Sequence, residues 1–143
     1  QPTTTDNAAA ILRSQHGGAR LLLAEDNEIN SIVALELLQG AGLSADIALD
    51  GCEALAMAKS QAYDLILMDM QMPNLDGLGA TEKIRQLPNG RRVPIVAMTA
   101  NAFSEDRQRC LTAGMNDFLT KPVDPDVLFA TLLKWLAPAP AKN

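Results

Sequence analysis

The sequence predicts an α/β domain in which a parallel sheet of five short strands is covered by five helices. Short apolar runs recur along the chain, and segments with apolar residues at helical spacing separate them. The runs are continuously apolar, which is typical of strands that are buried on both faces. A parallel sheet with helices on both faces is the architecture that buries such strands.

The composition fits one globular domain and excludes several classes of partner. At 143 residues and 48% hydrophobic side chains, the chain can form a real core. A net charge of −5 without a basic stripe argues against nucleic acid and against direct membrane contact. Cys52 and Cys110 match no metal-binding spacing, so we expect small buried side chains in a reducing compartment.

The chain begins with a predicted leader, a first strand and a first helix. Residues 1–18 are rich in Thr, Ala, Gln and Gly, which indicates a linker or a disordered leader. Arg20–Ala24 is a short apolar run and predicts the first strand. Asn27 is a good N-cap for a helix that extends to Gly40.

The second strand, the second helix and the third strand follow without long connections. Residues 43–49 predict the second strand, and Asp50 with Glu53 has the spacing of a capping box. The helix behind it extends to about Gln61. Leu65–Asp69 is the third strand, and it ends in a carboxylate.

The remaining boundaries are marked by proline, glycine and aspartate. Pro94 stands at the first position of the fourth strand, where no ladder donor is lost. Asp124 caps the last helix, with Pro125 at its first position. The predicted elements are a helix from Gly77 to Leu87, a strand from Pro94 to Thr99, a helix from Ser104 to Ala113, a strand from Asp117 to Thr120 and a helix through Leu136. The predicted domain covers 19–137, and 138–143 form a tail.

Reactive side chains stand where four of the five strands end. Glu25 and Asp26 follow the first strand, Asp69 ends the third, Thr99 ends the fourth and Lys121 follows the fifth. Right-handed crossovers place the carboxyl ends of parallel strands on one edge of the sheet, where ligands bind in such folds. We therefore expect these five side chains to lie together.

Three neighbouring carboxylates repel one another unless some are protonated or a cation neutralises them. Oxygen ligands without His or Cys favour a hard ion such as Mg²⁺. Asp69 would then offer an oxygen as a nucleophile, while Thr99 and Lys121 hold the oxygens of an incoming phosphoryl group. Each residue alone is explained as readily by a helix cap or a solvated side chain. Their joint occurrence at four strand ends favours the functional interpretation.

Four segments carry a resemblance to a known family. They are LLAEDN at 22–27 with Asn30, LMDMQMP at 67–73 with Asp76 and Gly77, AMTA at 97–100, and FLTKP at 118–122. The chain resembles the receiver domain of two-component response regulators. The segments AEDNEIN and MDMQMPNLDG are most similar to receivers attached to hybrid sensor histidine kinases.

The resemblance implies a doubly wound, flavodoxin-like fold with strand order 2-1-3-4-5, and a phosphorylation-controlled switch. Asp69 would accept a phosphoryl group from the phosphohistidine of a histidine kinase or a histidine phosphotransfer domain. Asp26, Asp69 and the backbone carbonyl of Gln71 would bind Mg²⁺, or Mn²⁺ in its place, and Glu25 would act through water. A Glu-Asp pair stands here where many family members have Asp-Asp.

The resemblance also implies how the phosphoryl group is sensed. Thr99 and Lys121 would contact the acyl phosphate, and Thr99 with Phe118 would form the switch. Phe118 lacks the hydroxyl of the common Tyr variant. Gln71 and Asn101 occupy the positions that tune the phosphate lifetime. The module itself would be a phospho-acceptor with self-phosphorylation and autodephosphorylation activity.

Phosphorylation would change the surface of the fourth helix, fifth strand and fifth helix, which could also form a homodimer. The implied location is the cytoplasm, with a parent protein that could be membrane-anchored. The alternatives left open are a stand-alone response regulator and a partner-binding receiver with little phosphotransfer. An aspartyl phosphatase would need an acid where Gln71 stands. A flavin-binding protein would need a phosphate loop where Glu25 and Asp26 would repel the phosphate.

Overall fold

The five strands form a parallel sheet with helices on both faces. The computed structural model describes residues 10–14, 19–70, 75–88, 93–99, 104–120 and 124–136. The strands are β1 (Arg20–Ala24), β2 (Ser44–Ala48), β3 (Leu65–Asp69), β4 (Ile95–Thr99) and β5 (Asp117–Thr120). The helices are α1 (Glu28–Gly40), α2 (Gly51–Ser60), α3 (Gly77–Ile84), α4 (Ser104–Ala113) and α5 (Pro125–Trp135). The sheet order is β2-β1-β3-β4-β5, as the resemblance implied.

The core is divided into two clusters by the sheet. Leu21 and Leu23 point to the cluster beneath α1 and α5, whereas Leu22 points to the cluster beneath α2, α3 and α4. This alternation is the period of two that a strand imposes on its side chains. Both clusters are apolar, which explains why β1 and β3 read as unbroken apolar runs.

Helix starts follow the predicted caps. The backbone N–H of Asn30 donates to Asn27 Oδ1 at 3.1 Å, and that of Glu53 donates to Asp50 Oδ1 at 2.8 Å. The Glu53 side chain differs from a standard capping box, because it accepts from the backbone N–H of Leu49 at 2.9 Å and not from that of the N-cap. None of the described helices is both long and apolar enough to span a membrane.

Residues 10–14 depart from the predicted linker and form a short helical segment, the leader helix. Leu12 is 0% exposed and belongs to the cluster beneath α1 and α5. The Arg13 guanidinium donates to the backbone carbonyl of Gly40, at the end of α1. Burial of this large apolar side chain contributes to the stability of the turn. The described part of the chain therefore contains six helices where the sequence predicted five.

Candidate functional site

β3 delivers a carboxylate to the carboxyl edge of the sheet from a fully buried support. All five residues of β3 are buried, and Asp69 itself is 3% exposed. The next backbone N–H, of Met70, donates to the carbonyl of Met98 at 3.0 Å, which fixes the end of β3 against β4. Rigid strands on both sides therefore hold Asp69 in position, as a reactive site requires.

The turn from β1 into α1 carries the second and third carboxylates. Glu25 is 2% exposed, and its backbone N–H donates to the carbonyl of Ala48 at 3.0 Å. Its Oε2 accepts from the backbone N–H of Asn27 at 3.2 Å. Asp26 is exposed at the rim. Because Asn27 caps α1, the turn has a fixed geometry and both acids face the edge of the sheet.

Glu25, Asp26 and Asp69 converge as predicted. Each offers a carboxylate oxygen, and these oxygens all lie within 4.8 Å of one another. Two of the three acids are buried, so their charges are costly unless a cation or a proton compensates them. The donor set contains only oxygen, which suits a hard divalent ion. The arrangement is thus able to hold Mg²⁺.

Gly77 is a site residue that the sequence indicated without giving its physical reason. Its backbone N–H donates to the carbonyl of Met70 at 3.3 Å. A Cβ at this position would lie 2.4 Å from the backbone oxygen of Asp69, closer than any side chain tolerates. The start of α3 therefore presses directly against the strand end that carries Asp69, and only glycine permits this approach.

The two predicted switch residues stand at neighbouring strands. Thr99 is the last residue of β4 and is buried, and its partner in the register is Thr120 of β5. Phe118 is half-buried and packs against the cluster beneath α2, α3 and α4. A cavity of about 150 Å³ lies beside it, between α4 and β5. The lining residues are Cys110, Leu111, Asn116, Asp117 and Phe118.

Lys121, Gln71 and Asn101 lie outside the described residues. The carbonyl ligand, the phosphate-binding lysine and the pair that tunes phosphate lifetime therefore stay predictions. The structure brings together Glu25 and Asp26 with Asp69.

An apolar stripe on α1 was missed as a surface feature. Ile29, Ile32 and Val33 indicated a helix by their spacing, yet they are 72%, 50% and 50% exposed. The helix buries Ser31 and Leu38 instead. Spacing predicts that residues share a face, but only the packing shows whether that face meets the core. The stripe begins three residues after Asp26, next to the carboxylates.

Known proteins share this fold. The response regulator receiver domain family matches residues 21–133. The receiver domain of a sensor histidine kinase from Pseudomonas aeruginosa PAO1, solved with a magnesium ion in its active site cleft, is 47% identical. It aligns with a TM-score of 0.79 over 83% of this chain and 98% of that chain.

A second solved structure is a complex. It holds the Saccharomyces cerevisiae histidine phosphotransfer signalling protein with the receiver domain of its downstream response regulator. The alignment has 34% identity and a TM-score of 0.75, and covers 82% of this chain and 88% of that chain.

The relatives with full-length sequences are much longer. Sensor histidine kinase RcsC of Salmonella typhimurium is 40% identical over 129 residues, which cover 90% of this chain and 13% of that protein. Hybrid signal transduction histidine kinase B of Dictyostelium discoideum is 42% identical over 126 residues, or 80% of this chain and 6% of that protein. The matched residues cover 5% to 20% of the curated relatives' lengths. Since the family match extends from the second residue of β1 into the last helix, α5, this chain belongs to the response regulator receiver domain family.

Proposed function

We propose that this receiver domain is a phosphorylation-controlled switch in which Asp69 accepts a phosphoryl group from a phosphohistidine. The observation that carries the proposal is the convergence of Glu25, Asp26 and Asp69, with their oxygens within 4.8 Å of one another. A purely structural role explains this arrangement poorly. Burying two like charges beside each other costs free energy and contributes no packing.

The carboxylates fit a magnesium site. Mg²⁺ binds oxygen at about 2.1 Å, so two direct ligands lie at most about 4.2 Å apart. Oxygens that all lie within 4.8 Å of one another leave room for one such ion among the three carboxylates. Asp26 and Asp69 would be the direct ligands together with the Gln71 carbonyl, and Glu25 would act through water. The ion would neutralise the acids and the charge of the phosphoryl group.

Residues of the chain itself would carry out the remaining parts of the phosphoryl transfer. An oxygen of Asp69 forms a bond to phosphorus as the phosphorus–nitrogen bond breaks, and the donor histidine leaves as imidazole after taking a proton. Thr99 and Lys121 would donate hydrogen bonds to the phosphoryl oxygens. The burial of Asp69 excludes water from the acceptor and holds it in one orientation.

The same site would control a distant surface. Thr99 moving toward the phosphoryl group would leave space for Phe118, and the cavity of about 150 Å³ beside Phe118 offers room for its ring to change position. The affected surface consists of α4, β5 and α5. Leu111 of α4 and Val127 of α5 are 58% and 50% exposed, so this surface has apolar side chains that a partner or a second copy could cover.

Labelling by a small phosphodonor tests the acceptor. We expect acetyl phosphate with Mg²⁺ to add one phosphoryl group to the wild-type domain and none to Asp69→Asn, measured by intact mass. Asp64→Asn is a matched control, because Asp64 precedes β3 at the opposite edge of the sheet. Mg²⁺-dependent labelling that persists in Asp69→Asn would overturn the assignment.

The apolar stripe on α1 suggests where the phosphodonor binds. The stripe of Ile29, Ile32 and Val33 adjoins the acceptor edge, and a donor histidine must reach that edge. A helical phosphotransfer domain could bury the stripe while presenting its phosphohistidine to Asp69.

A matched pair of variants tests this surface. Ile32 and Val127 are both 50% exposed, but Val127 lies on α5. We expect Ile32→Asp to slow phosphotransfer from a phosphorylated histidine phosphotransfer domain about tenfold or more, the cost of losing an interface anchor. Labelling by acetyl phosphate should be unchanged, and Val127→Asp should leave both rates intact. Equal slowing by the two variants would contradict this surface.

The parent protein is a further part of the proposal. Similarity to segments of histidine kinases much longer than this chain favours a receiver of a hybrid histidine kinase in a phosphorelay. A stand-alone response regulator is the second candidate, since the domain folds around its own two clusters. The full-length gene product distinguishes them.

A further inference from the structure

Arg85, at the C-terminal end of α3, joins three separate segments of the chain. Its Nε donates to the carbonyl of Gly114 at 2.9 Å, and its Nη1 to the carbonyl of Val93 at 2.7 Å. Its Nη2 donates to Asn116 Oδ1 at 2.7 Å. The guanidinium is partly buried, and desolvation lowers its pKa from the ordinary value. We refer to these contacts as the Arg85 clamp.

Asn116 extends the clamp to the first residue of β4. Its Oδ1 accepts a second hydrogen bond, from the backbone N–H of Ile95 at 2.9 Å. Its own backbone N–H donates to the carbonyl of Ile95 at 2.8 Å. The connection between α4 and β5 is therefore fixed to the start of β4 through both backbone and side chain.

The clamp also serves the end of α4. The last turn of α4, residues 110–113, contains no basic side chain, although a cation there would stabilise the helix dipole. Arg85 supplies that cation from α3, through its bond to Gly114. Gly114 has φ 109°, and a Cβ there would lie 3.0 Å from Arg85 Cγ. Glycine thus allows both the left-handed turn and the close passage of the arginine.

The two ends of α3 contact different functional regions. Gly77 at its start presses against Asp69, as described above, and Arg85 at its end holds the α4–β5 connection. The helix has eight residues, which span about 12 Å at 1.5 Å per residue. α3 therefore links the acceptor strand to the far end of α4 by rigid backbone.

We propose that Arg85 is a positioning residue that fixes the C-terminal end of α4, so that phosphorylation moves α4 by rotation about this end. Moving α4 as a whole would break the two hydrogen bonds from Arg85 to Gly114 and Asn116, and bonds to a charged donor are among the stronger ones. The N-terminal end of α4, which lies closer in sequence to Thr99, is left to respond. This inference rests on the proposed phosphorylation of Asp69.

Hydrogen exchange with a phosphoryl mimic tests the pivot. For wild type, we expect beryllofluoride with Mg²⁺ to change amide exchange in the first half of α4 and to leave residues 111–116 unchanged. In Arg85→Met, exchange of 111–116 should rise about tenfold or more, the loss of at least one charged hydrogen bond. In this variant, exchange of residues 111–116 should also differ between samples with and without beryllofluoride. Lys83→Met is the matched control, since Lys83 is an exposed cation in the last turn of the same helix.

Sensitivity to the mimic separates a pivot from plain stabilisation. If Arg85 only stabilises the fold, exchange of 111–116 rises equally with and without beryllofluoride, and the pivot is refuted. A wild-type response that already includes 111–116 refutes it too. Absence of any wild-type response to beryllofluoride would count against the proposed phosphorylation instead.

Two variants of Asn116 test the same proposal independently, in case Arg85→Met does not fold. Asn116→Asp keeps the oxygen that accepts from Arg85 and Ile95, so the response to beryllofluoride should remain confined to the first half of α4. Asn116→Leu has a similar volume and no acceptor, so the response should spread to 111–116. Identical responses of these two variants would overturn the role of the clamp.

Discussion

The acidic residues at the two edges of the sheet have different neighbours. At the amino edge, acids accept hydrogen bonds from nearby donors: Asp64 from the backbone N–H of Arg20 at 2.7 Å, and Asp117 from Trp135 Nε1 at 2.8 Å. At the carboxyl edge, three acids place their oxygens within 4.8 Å of one another. Both edges are formed by the same strands, so the difference lies in which side chains stand at each end of the strands.

This difference separates stability from function within one small domain. Acids that accept hydrogen bonds at the amino edge contribute to folding. Acids that converge at the carboxyl edge repel one another, and a bound cation would reduce that repulsion. Substitutions at the two edges should therefore change stability in opposite directions.

The largest expected effect is at the amino edge. Leu12 is 0% exposed and contacts the cluster beneath α1 and α5 from the leader helix. We expect Leu12→Ala to lower the free energy of unfolding by about 3 kcal/mol, as for other large-to-small core substitutions. Urea denaturation followed by circular dichroism measures this change.

The affinity of the same variant for a phosphoryl mimic tests whether the two edges of the sheet are independent. If the edges are independent, the apparent affinity of Leu12→Ala for beryllofluoride with Mg²⁺ stays at the wild-type value. Ile11→Ala is a control from the same helix, because Ile11 is 39% exposed and should cost little. A Leu12→Ala variant as stable as wild type would indicate that residues 10–14 are only a linker.

An intermediate effect is expected at the carboxyl edge. Asp26→Asn removes one charge from the cluster, so the protein without metal should become more stable. Its affinity for Mg²⁺, measured by calorimetry, should fall by about tenfold or more, since even residues that only support metal ligands cost this much. Asp64→Ala should act in the opposite way, with lower stability and unchanged Mg²⁺ affinity. A loss of stability in Asp26→Asn would contradict the expectation that substitutions at the two edges change stability in opposite directions.

The strand ends were predictable because a strand buried on both faces leaves a clear apolar signature. Leu65 to Met68 are apolar and Asp69 is not, so the end of β3 and its reactive residue follow from the sequence. Parallel topology then places Asp69 beside Glu25 and Asp26 without any knowledge of distances. The Asn27 and Asp50 caps were predictable for a similar reason, since their bonds are local.

Contacts between distant segments were not predictable. Nothing in the sequence near Arg85 indicates its contacts, because its acceptors Gly114 and Asn116 are 29 and 31 residues away. Leu12 stands in a segment whose composition indicates a linker, and only packing against the cluster beneath α1 and α5 explains its burial. Each case depends on shape, which a local pattern does not encode.

The smallest expected effect concerns Tyr63, which precedes β3 and donates its hydroxyl to Asp46 Oδ2 at 2.7 Å. Burial, then the hydrogen bond and charge of Asp46, raise the pKa of Tyr63 to about 12 from 10.0. Because the folded state holds the phenolic proton more tightly, this contribution to stability is complete below pH 10 and is lost as the pH rises toward 12.

Tyr63→Phe should cost about 1 kcal/mol at neutral pH and show a smaller loss of stability above pH 10. The sequence has one tyrosine, so phenolate absorbance reports this residue directly. A folded-state midpoint near that of the urea-unfolded chain would show that the hydroxyl does not donate to Asp46.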